Sequence, residues 1–389
     1  MRKRFFTAFL CLELVLFPTA CKKKAEGPKI ETIGGVEYVH NPATPLRPTK
    51  TVAFEEEFTL SEKDEAGEIR LFKPFSYTVD AQDRIYISDD SDLSVKVFDS
   101  QGKFLRSFGR KGSGPGEFEA IREMVILPDG RLLVTDDLQR RSSFFSPEGQ
   151  FLSSFQWKKN YSSIHIATNS YFTVEELVFN EGTFERWIKV VDFAGEELLS
   201  IGKFTEPEMK MLRQGSGATF APVPWSSSSI FAGDQNRQLL YHCLNNKYVI
   251  EVYDQQGKKV RQIEKPYEPA PVTGEDIDTL KSRYAGRPGH PVARLLEQME
   301  FPKVKTVTER LLVDDARTLW VQTNEERKEG EKTLTAYDIF NLDGIYEARV
   351  WLDIVPGLFV NGKMYRMAED AETGLRLPRR YRITWKEGT

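Results

Sequence analysis

Val97-Phe98-Asp99-Ser100-Gln101-Gly102-Lys103-Phe104-Leu105 and Phe144-Phe145-Ser146-Pro147-Glu148-Gly149-Gln150-Phe151-Leu152 carry one pattern. An apolar pair runs into a short turn with an Asp or similar residue, a Gly follows, and a second apolar strand leaves. Shorter copies read Val191-Asp192-Phe193-Ala194-Gly195, Val252-Tyr253-Asp254-Gln255-Gln256-Gly257 and Phe340-Asn341-Leu342-Asp343-Gly344. A tight hairpin puts a turn residue at positive φ, where a Cβ would clash, so the Gly is required. The glycines are spaced by 47, 46, 62 and 87 residues. The first two intervals match the period of a four-stranded repeating sheet unit.

Upstream of each Gly lies a second hairpin, with returning strands at Arg84–Ile87, Arg131–Val134, Tyr171–Val174, Gln238–Tyr241 and Thr318–Val321. A sixth copy appears at Lys363–Met367, followed by Arg379–Trp385, and then lacks an outer strand of its own. Near the start, Val52, Phe54, Phe58 and Leu60 alternate with polar neighbours, Glu56 being the exception. Residues 51–60 are therefore predicted to complete the sixth unit and close a ring, because an open ring would expose two apolar faces. The fold class expected is all-β: a six-bladed β-propeller of four-stranded antiparallel blades, the N-terminal strand closing the last, with short helical inserts. The two long intervals hold those inserts. Thr205 before Glu206-Pro207-Glu208 predicts a capped short helix ending near Gly215. Within residues 265–305, Thr273 ahead of Asp276 and Pro291 opening an apolar run to Met299 predict helical structure.

Arg110-Lys111-Gly112-Ser113-Gly114-Pro115-Gly116-Glu117-Phe118, followed by an apolar strand and Pro128-Asp129-Gly130-Arg131-Leu132, resembles an NHL-type repeat. From about Glu31 the chain is similar to the six-bladed β-propeller lipoproteins of bacteria, and Val36–Pro42 looks like that group's segment preceding the ring. The first residues agree with such an address. Arg2, Lys3 and Arg4 precede an apolar run from Phe5 to Phe17, too short to span a bilayer but suited to a secretory signal. Thr19-Ala20 before Cys21 resembles a bacterial lipobox, which implies lipidation of Cys21. The domains read as a signal peptide at 1–20, an anchor linker and pre-propeller segment at 21–46, and the propeller at 47–389 with its insert at 265–305. The expected place is the extracytoplasmic cell envelope, anchored to a membrane by lipid. Cys11 and Cys21 would then be removed or consumed, leaving Cys243 alone, so no intramolecular disulfide can form. Stability must come from packing, which 26 Phe residues can supply. The net charge of −4 argues against a nucleic-acid partner.

The second strand of each unit runs into a polar pair: Asp89-Asp90, Asp136-Asp137, Glu175-Glu176, Asn245-Asn246, Glu325-Glu326 and Glu369-Asp370. Equivalent positions in a ring would set these on one rim, where their fields add and attract a basic peptide or a cation. The bland alternative is that the first acid of each pair caps its own turn. No cofactor is expected; Ca²⁺ would suit such a rim, but no calcium-loop motif supports it. The Gly109–Phe118 loop could turn N–H groups towards an anion, or merely join two blades with Phe118 as a core plug. A similar ring in peptidyl-hydroxyglycine amidating lyase implies a His-ligated zinc. Only His165 and His242 fall on blade strands here, without a supporting motif, and His40 and His290 lie elsewhere. Trp157 and Tyr161 at a blade transition could stack on a sugar. The function expected is a non-catalytic binding or scaffold module for a protein, peptide or carbohydrate. The alternative is a metal-dependent lyase or lactonase-like hydrolase at the channel mouth.

Overall fold

The five hairpin motifs fold as near-identical turns. In each, the side chain three residues before the Gly accepts two backbone N–H bonds: Asp99 from Gln101 and Lys103, Ser146 from Glu148 and Gln150, Asp192 from Ala194 and Glu196, Asp254 from Gln256 and Lys258, Asn341 from Asp343 and Ile345. The glycines lie at φ between +71° and +85°. They also have a second reason to be glycine, which the turn alone does not reveal. Each one packs against the outer strand of the preceding blade: a Cβ would fall 2.4 Å from Phe58 at Gly102, 2.4 Å from Phe108 at Gly149 and 2.7 Å from Ile263 at Gly344.

The computed structural model describes residues 27–180, 183–214, 217–285 and 291–388. Cys21 and His290, singled out in the sequence, lie outside these. Strands β1 (Lys29–Ile33), β2 (Val36–His40) and β3 (Thr51–Thr59) come first. Blade one is β4 (Pro74–Val79), β5 (Ile85–Asp89), β6 (Ser94–Phe98) and β7 (Phe104–Phe108). Blade two is β8 (Ile121–Ile126), β9 (Leu132–Asp136), β10 (Arg141–Phe145) and β11 (Phe151–Gln156). Blade three is β12 (Tyr161–Ala167), β13 (Tyr171–Asn180), β14 (Thr183–Asp192) and β15 (Glu197–Phe204). After the hairpin β16 (Met209–Gln214) and β17 (Gly217–Pro222), blade four is β18 (Ser229–Asp234), β19 (Leu239–Leu244), β20 (Val249–Tyr253) and β21 (Lys259–Glu264). Helices α1 (Gly274–Ala285) and α2 (Pro291–Gln298) precede blade five, β22 (Thr308–Val313), β23 (Leu319–Glu329), β24 (Lys332–Phe340) and β25 (Tyr346–Leu352). Blade six is β26 (Leu358–Val360), β27 (Lys363–Glu369) and β28 (Arg376–Lys386), with β3 as its outer strand. The ring closes as the alternation predicts: β3 pairs antiparallel with β28 from Thr51↔Lys386 to Thr59↔Arg379. The protein is a six-bladed β-propeller.

The middle strands of the blades, such as β5, β6 and β9, are buried on both faces while outer strands such as β11 are mostly exposed, so there is no single core but one apolar cluster per blade interface. Tyr86, Val95 and Val97 meet Phe118, Leu132 and Phe145 between blades one and two. Trp157 and Phe172 meet Phe144 between two and three, and Ile166 and Ile188 meet Leu240 between three and four. Tyr241 and Ile250 meet Leu311 and Phe340, then Trp320 and Ile339 meet Phe359 and Met364. Leu60 and Tyr365 meet Leu71, Ile85 and Phe98 across the closing seam.

Two findings differ from the sequence reading. The short helix expected from Thr205 is instead the hairpin β16–β17, in register from Met209↔Pro222 to Gln214↔Gly217. A helix of two turns is marginal by itself, whereas the hairpin buries Ala221 against Leu295 and Leu296 of α2. The expected helices of the 265–305 insert do form. Thr273 and Asp276 cap α1 reciprocally, with Thr273 N–H to Asp276 at 2.9 Å and Asp276 N–H to Thr273 Oγ1 at 3.2 Å. The second difference is at the N-terminus. β2 adds parallel to β21, and β1 adds to β2, so blade four has six strands. The chain then crosses blade five, where Asn41 bonds Gly344 O and Tyr346 N, and Leu46 N–H reaches Tyr346 O at 3.0 Å.

Candidate functional site

The first strand of each blade faces the axis: β4 lies against β8, and β18 against β22. Near their entry ends, β4, β8, β12 and β22 each carry a register shift, between Pro74/Tyr77, Ile121/Glu123, Tyr161/Ser163 and Thr308/Arg310. Such bulges re-aim side chains at a sheet end. Here Phe75, Arg122 and Ser162 fall within them and line a cavity of about 790 Å³ at one mouth of the channel, with Lys73, Asp90, Glu119, Glu123 and Asp137. A second cavity, about 600 Å³, shares Phe75 and Arg122 and continues over blades five and six. Its wall adds Ser76, Tyr77, Arg310, Val355–Gly357, Arg366, Met367 and Arg376. The sequence reading did not pick out these arginines, because inner-strand residues show their shared wall only once the ring is closed.

The charge at this mouth is opposite to an acidic crown on the blade five and six side. No carboxylate lines the second cavity, and four guanidinium groups do. Arg122 is held by Asp137 at 2.6 Å, and Arg310 donates to Pro356 O at 3.1 Å. Burial pushes the Tyr77 hydroxyl up to about 12, against the opposing pull of the Leu358 backbone and of Arg310, Arg366 and Arg376. Tyr77 donates to Tyr365 O at 2.9 Å.

In the first cavity Glu123 stands apart. Burial pushes its carboxyl up to about 7, against the opposing pull of the Ile164 N–H and Arg122. Ile164 N–H donates to it at 3.2 Å.

The polar pairs predicted to form a rim go to different places. Asp89, fully buried, accepts N–H bonds from Phe72, Lys73 and Ser91, and Asp136 accepts from Glu119 and Gln139. Asn245 accepts from Ser228 N–H at 2.8 Å, and Asp370 accepts from Glu372 and Thr373. These four clamp turns or the linkers entering the inner strands. Asp90 lies 3.7 Å from Lys73, Glu175 bonds Ser162 and faces His165 and Arg186, and Glu176 is 3.5 Å from Lys159. Glu325 pairs with Arg349 at 2.7 Å, and Glu369 supplies a carbonyl to Arg379. In blades three and five the second strands run on to Asn180 and Glu329, so Glu175, Glu176, Glu325 and Glu326 sit within strands and not at turns. Asn246 borders a separate cavity with His40, Lys265 and Tyr267. Of the twelve pair residues, only Asp90 and Asp137 border the mouth cavities described here.

The glycine-rich loop already holds an anion of its own. The Glu117 carboxylate accepts Gly114 N–H at 2.8 Å and Arg110 Nε at 2.8 Å, and both donors hold it below the usual carboxylate range. Arg141 and Gln139 hold the loop's carbonyls. Phe118 is fully buried, the core plug of the bland reading. Trp157 is also buried, its Nε1 donating to Ser142 Oγ at 2.7 Å, and Tyr161 packs on it edge-on. Among the described residues no three His, Cys, Asp or Glu side chains group as a metal site. His242 lies between Ser229 and Glu251, and His40 between Glu31 and Glu264.

A family model described as a six-bladed β-propeller matches residues 68–187. Among solved structures, the chain is similar to a protein of Bacteroides fragilis named as exported: 11% identity over 89% of this chain and 99% of that one, TM-score 0.48. It is similar to a member of the duf4221 family from Bacteroides vulgatus at 9% identity over 87% and 99%, TM-score 0.46. It is also similar to virginiamycin B lyase of Staphylococcus aureus at 10% identity over 85% and 99%, TM-score 0.39.

Proposed function

We propose that this propeller is a non-catalytic binding module of the cell envelope, tethered through Cys21, that seats its ligand at the channel mouth lined by Phe75, Arg122 and Ser162. The observation that carries the reading is the pair of joined cavities, about 790 and 600 Å³, built on the bulged ends of inner strands. Side chains fixed on strands need little ordering on contact, which favours affinity. Phe75 is 57% exposed there, an apolar face ready for a sugar ring or a peptide side chain. The test is a thermal-shift panel of oligosaccharides and short peptides against the protein and its Phe75→Ala and Ser162→Trp variants. A ligand that raises the melting temperature of the native chain and of neither variant supports the reading. A ligand whose shift survives both substitutions places binding elsewhere and overturns it.

A second reading, an enzyme using acid–base chemistry at the same mouth, is favoured by Glu123 alone. A carboxyl raised to about 7 beside a cavity is poised to exchange protons near neutrality. Turnover that vanishes in Glu123→Gln, with binding intact, would select this reading over the first.

A further inference from the structure

Resting on the mouth as the ligand seat, we infer that its blade five and six side takes an anionic group, a carboxylate or a phosphoryl, held by Arg122, Arg310, Arg366 and Arg376. The wall of this cavity offers guanidinium groups from four different strands and contains no acid of its own; Arg122 alone has a carboxylate partner, Asp137, which lines the neighbouring cavity. Like charges gathered on one concavity raise its potential and repel each other, a cost that an incoming anion removes. Two of the four are already engaged, Arg122 by Asp137 and Arg310 by a carbonyl. Among the described residues, the guanidinium groups of Arg366 and Arg376 make no hydrogen bond or ion pair, and both side chains line the cavity. Arg310, Arg366 and Arg376 line this one cavity together with Tyr77. The planar fork of guanidinium matches both carboxylate and phosphate bidentately, so the shared chemistry is a planar or tetrahedral oxyanion. Phe75, on the boundary of both cavities, would take whatever apolar or sugar body the anion is attached to. A ligand with an acidic end and a flat body therefore spans the mouth: its charge lies over blades five and six and its body over blades one and two.

The test is calorimetric titration of the full chain with citrate, terephthalate and inorganic phosphate. The comparison protein is Arg366→Gln/Arg376→Gln, both positions lying at the surface of the cavity wall. At least one anion is expected to bind one-to-one. Binding should weaken about tenfold or more in the double variant and by a similar factor when NaCl rises from about 50 to about 500 mM. An unchanged denaturation midpoint in the double variant assigns the loss to the site. Should that variant fold poorly, Arg376→Glu alone is expected to abolish binding. Preference for the carboxylates assigns a carboxylate ligand, and preference for phosphate assigns a phosphoryl; either supports the seat. Absence of heat with all three probes at about 10 mM, or binding undiminished in the double variant, overturns it. The two levels separate: a neutral ligand lost on Phe75→Ala while no anion binds leaves the mouth reading standing and removes the anion seat.

Discussion

Asp338, on β24, is fully enclosed and receives four groups at once. Lys265 Nζ lies 2.8 Å away, Arg349 Nε 2.7 Å, and the hydroxyls of Tyr248 and Tyr346 each donate at 2.6 Å. Lys265 is itself buried and sits 4.1 Å from the Tyr346 ring centre, just where blade four hands the chain to the helical insert. Burial pushes the Asp338 carboxyl up, but Arg349 and Lys265 outweigh it and hold it below the usual range. Asp338→Ala leaves the Lys265 ammonium uncompensated and two phenols without their acceptor, while Arg349 keeps Glu325 at 2.7 Å. Breaking a buried pair by removing one partner costs about 3–5 kcal/mol. The assay is urea unfolding followed by tryptophan fluorescence. The loss should be largely relieved in Asp338→Ala/Lys265→Met, since the second change removes the stranded charge; two independent losses would instead add. The pH dependence has a fixed sign. A carboxyl held low contributes stability above its unfolded value, near 4, and loses it as pH falls through the folded value. The variant should therefore show a shallower acid limb than the native chain. A midpoint unchanged by Asp338→Ala, or additivity in the double variant, would refute the argument.

Glu123 predicts the opposite slope. Its folded carboxyl, near 7, keeps a proton that the unfolded chain has released, so stability falls as pH rises from about 4.5 to about 7. Glu123→Gln should match the native chain at pH near 5 and exceed it by about 1–3 kcal/mol at pH near 8, read from urea midpoints. A Cβ at Gly233 would lie 1.9 Å from the His165 carbonyl oxygen on the next inner strand, so Gly233→Ala should cost at least about 3 kcal/mol or prevent soluble expression. The control Gly274→Ala, with nothing within 4 Å, should stay within about 0.5 kcal/mol. Burial pushes the Cys243 thiol up to about 11, so a thiol reagent should label it only as the protein unfolds; rapid labelling of the native chain would contradict its place beside Thr308.

The ring was legible because hairpin chemistry is local. Asp99 and Gly102, or Asn341 and Gly344, act within five residues, and their spacing counts the blades directly. The closing strand was legible from alternation at Val52, Phe54 and Phe58 alone. What stayed hidden depends on partners far along the chain. Val36–His40 pairs with Glu37↔Arg261 and its neighbours, a parallel contact that five residues cannot announce. Thr205–Gly215 offered helix-start signals that a distant surface on α2 overrode. The polar pairs were found by position, but whether Asp89 caps a turn or faces a ligand depends on Phe72 and Lys73, which the blade pattern does not align. The arginines of the mouth belong to strands of three blades and were never neighbours in sequence.

The strap formed by residues 29–59 touches blades four, five and six, the last three that a ribosome delivers. Its partners Arg261–Glu264 and Arg379–Lys386 emerge long after it does, so the nascent chain carries unsatisfied strand edges until synthesis is nearly over. A product ending before Arg376 would forfeit more than its final strand. β3 would have no mate, the seam at Leu60, Leu71 and Tyr365 would stay wet, and quality-control proteases would meet an unlatched ring.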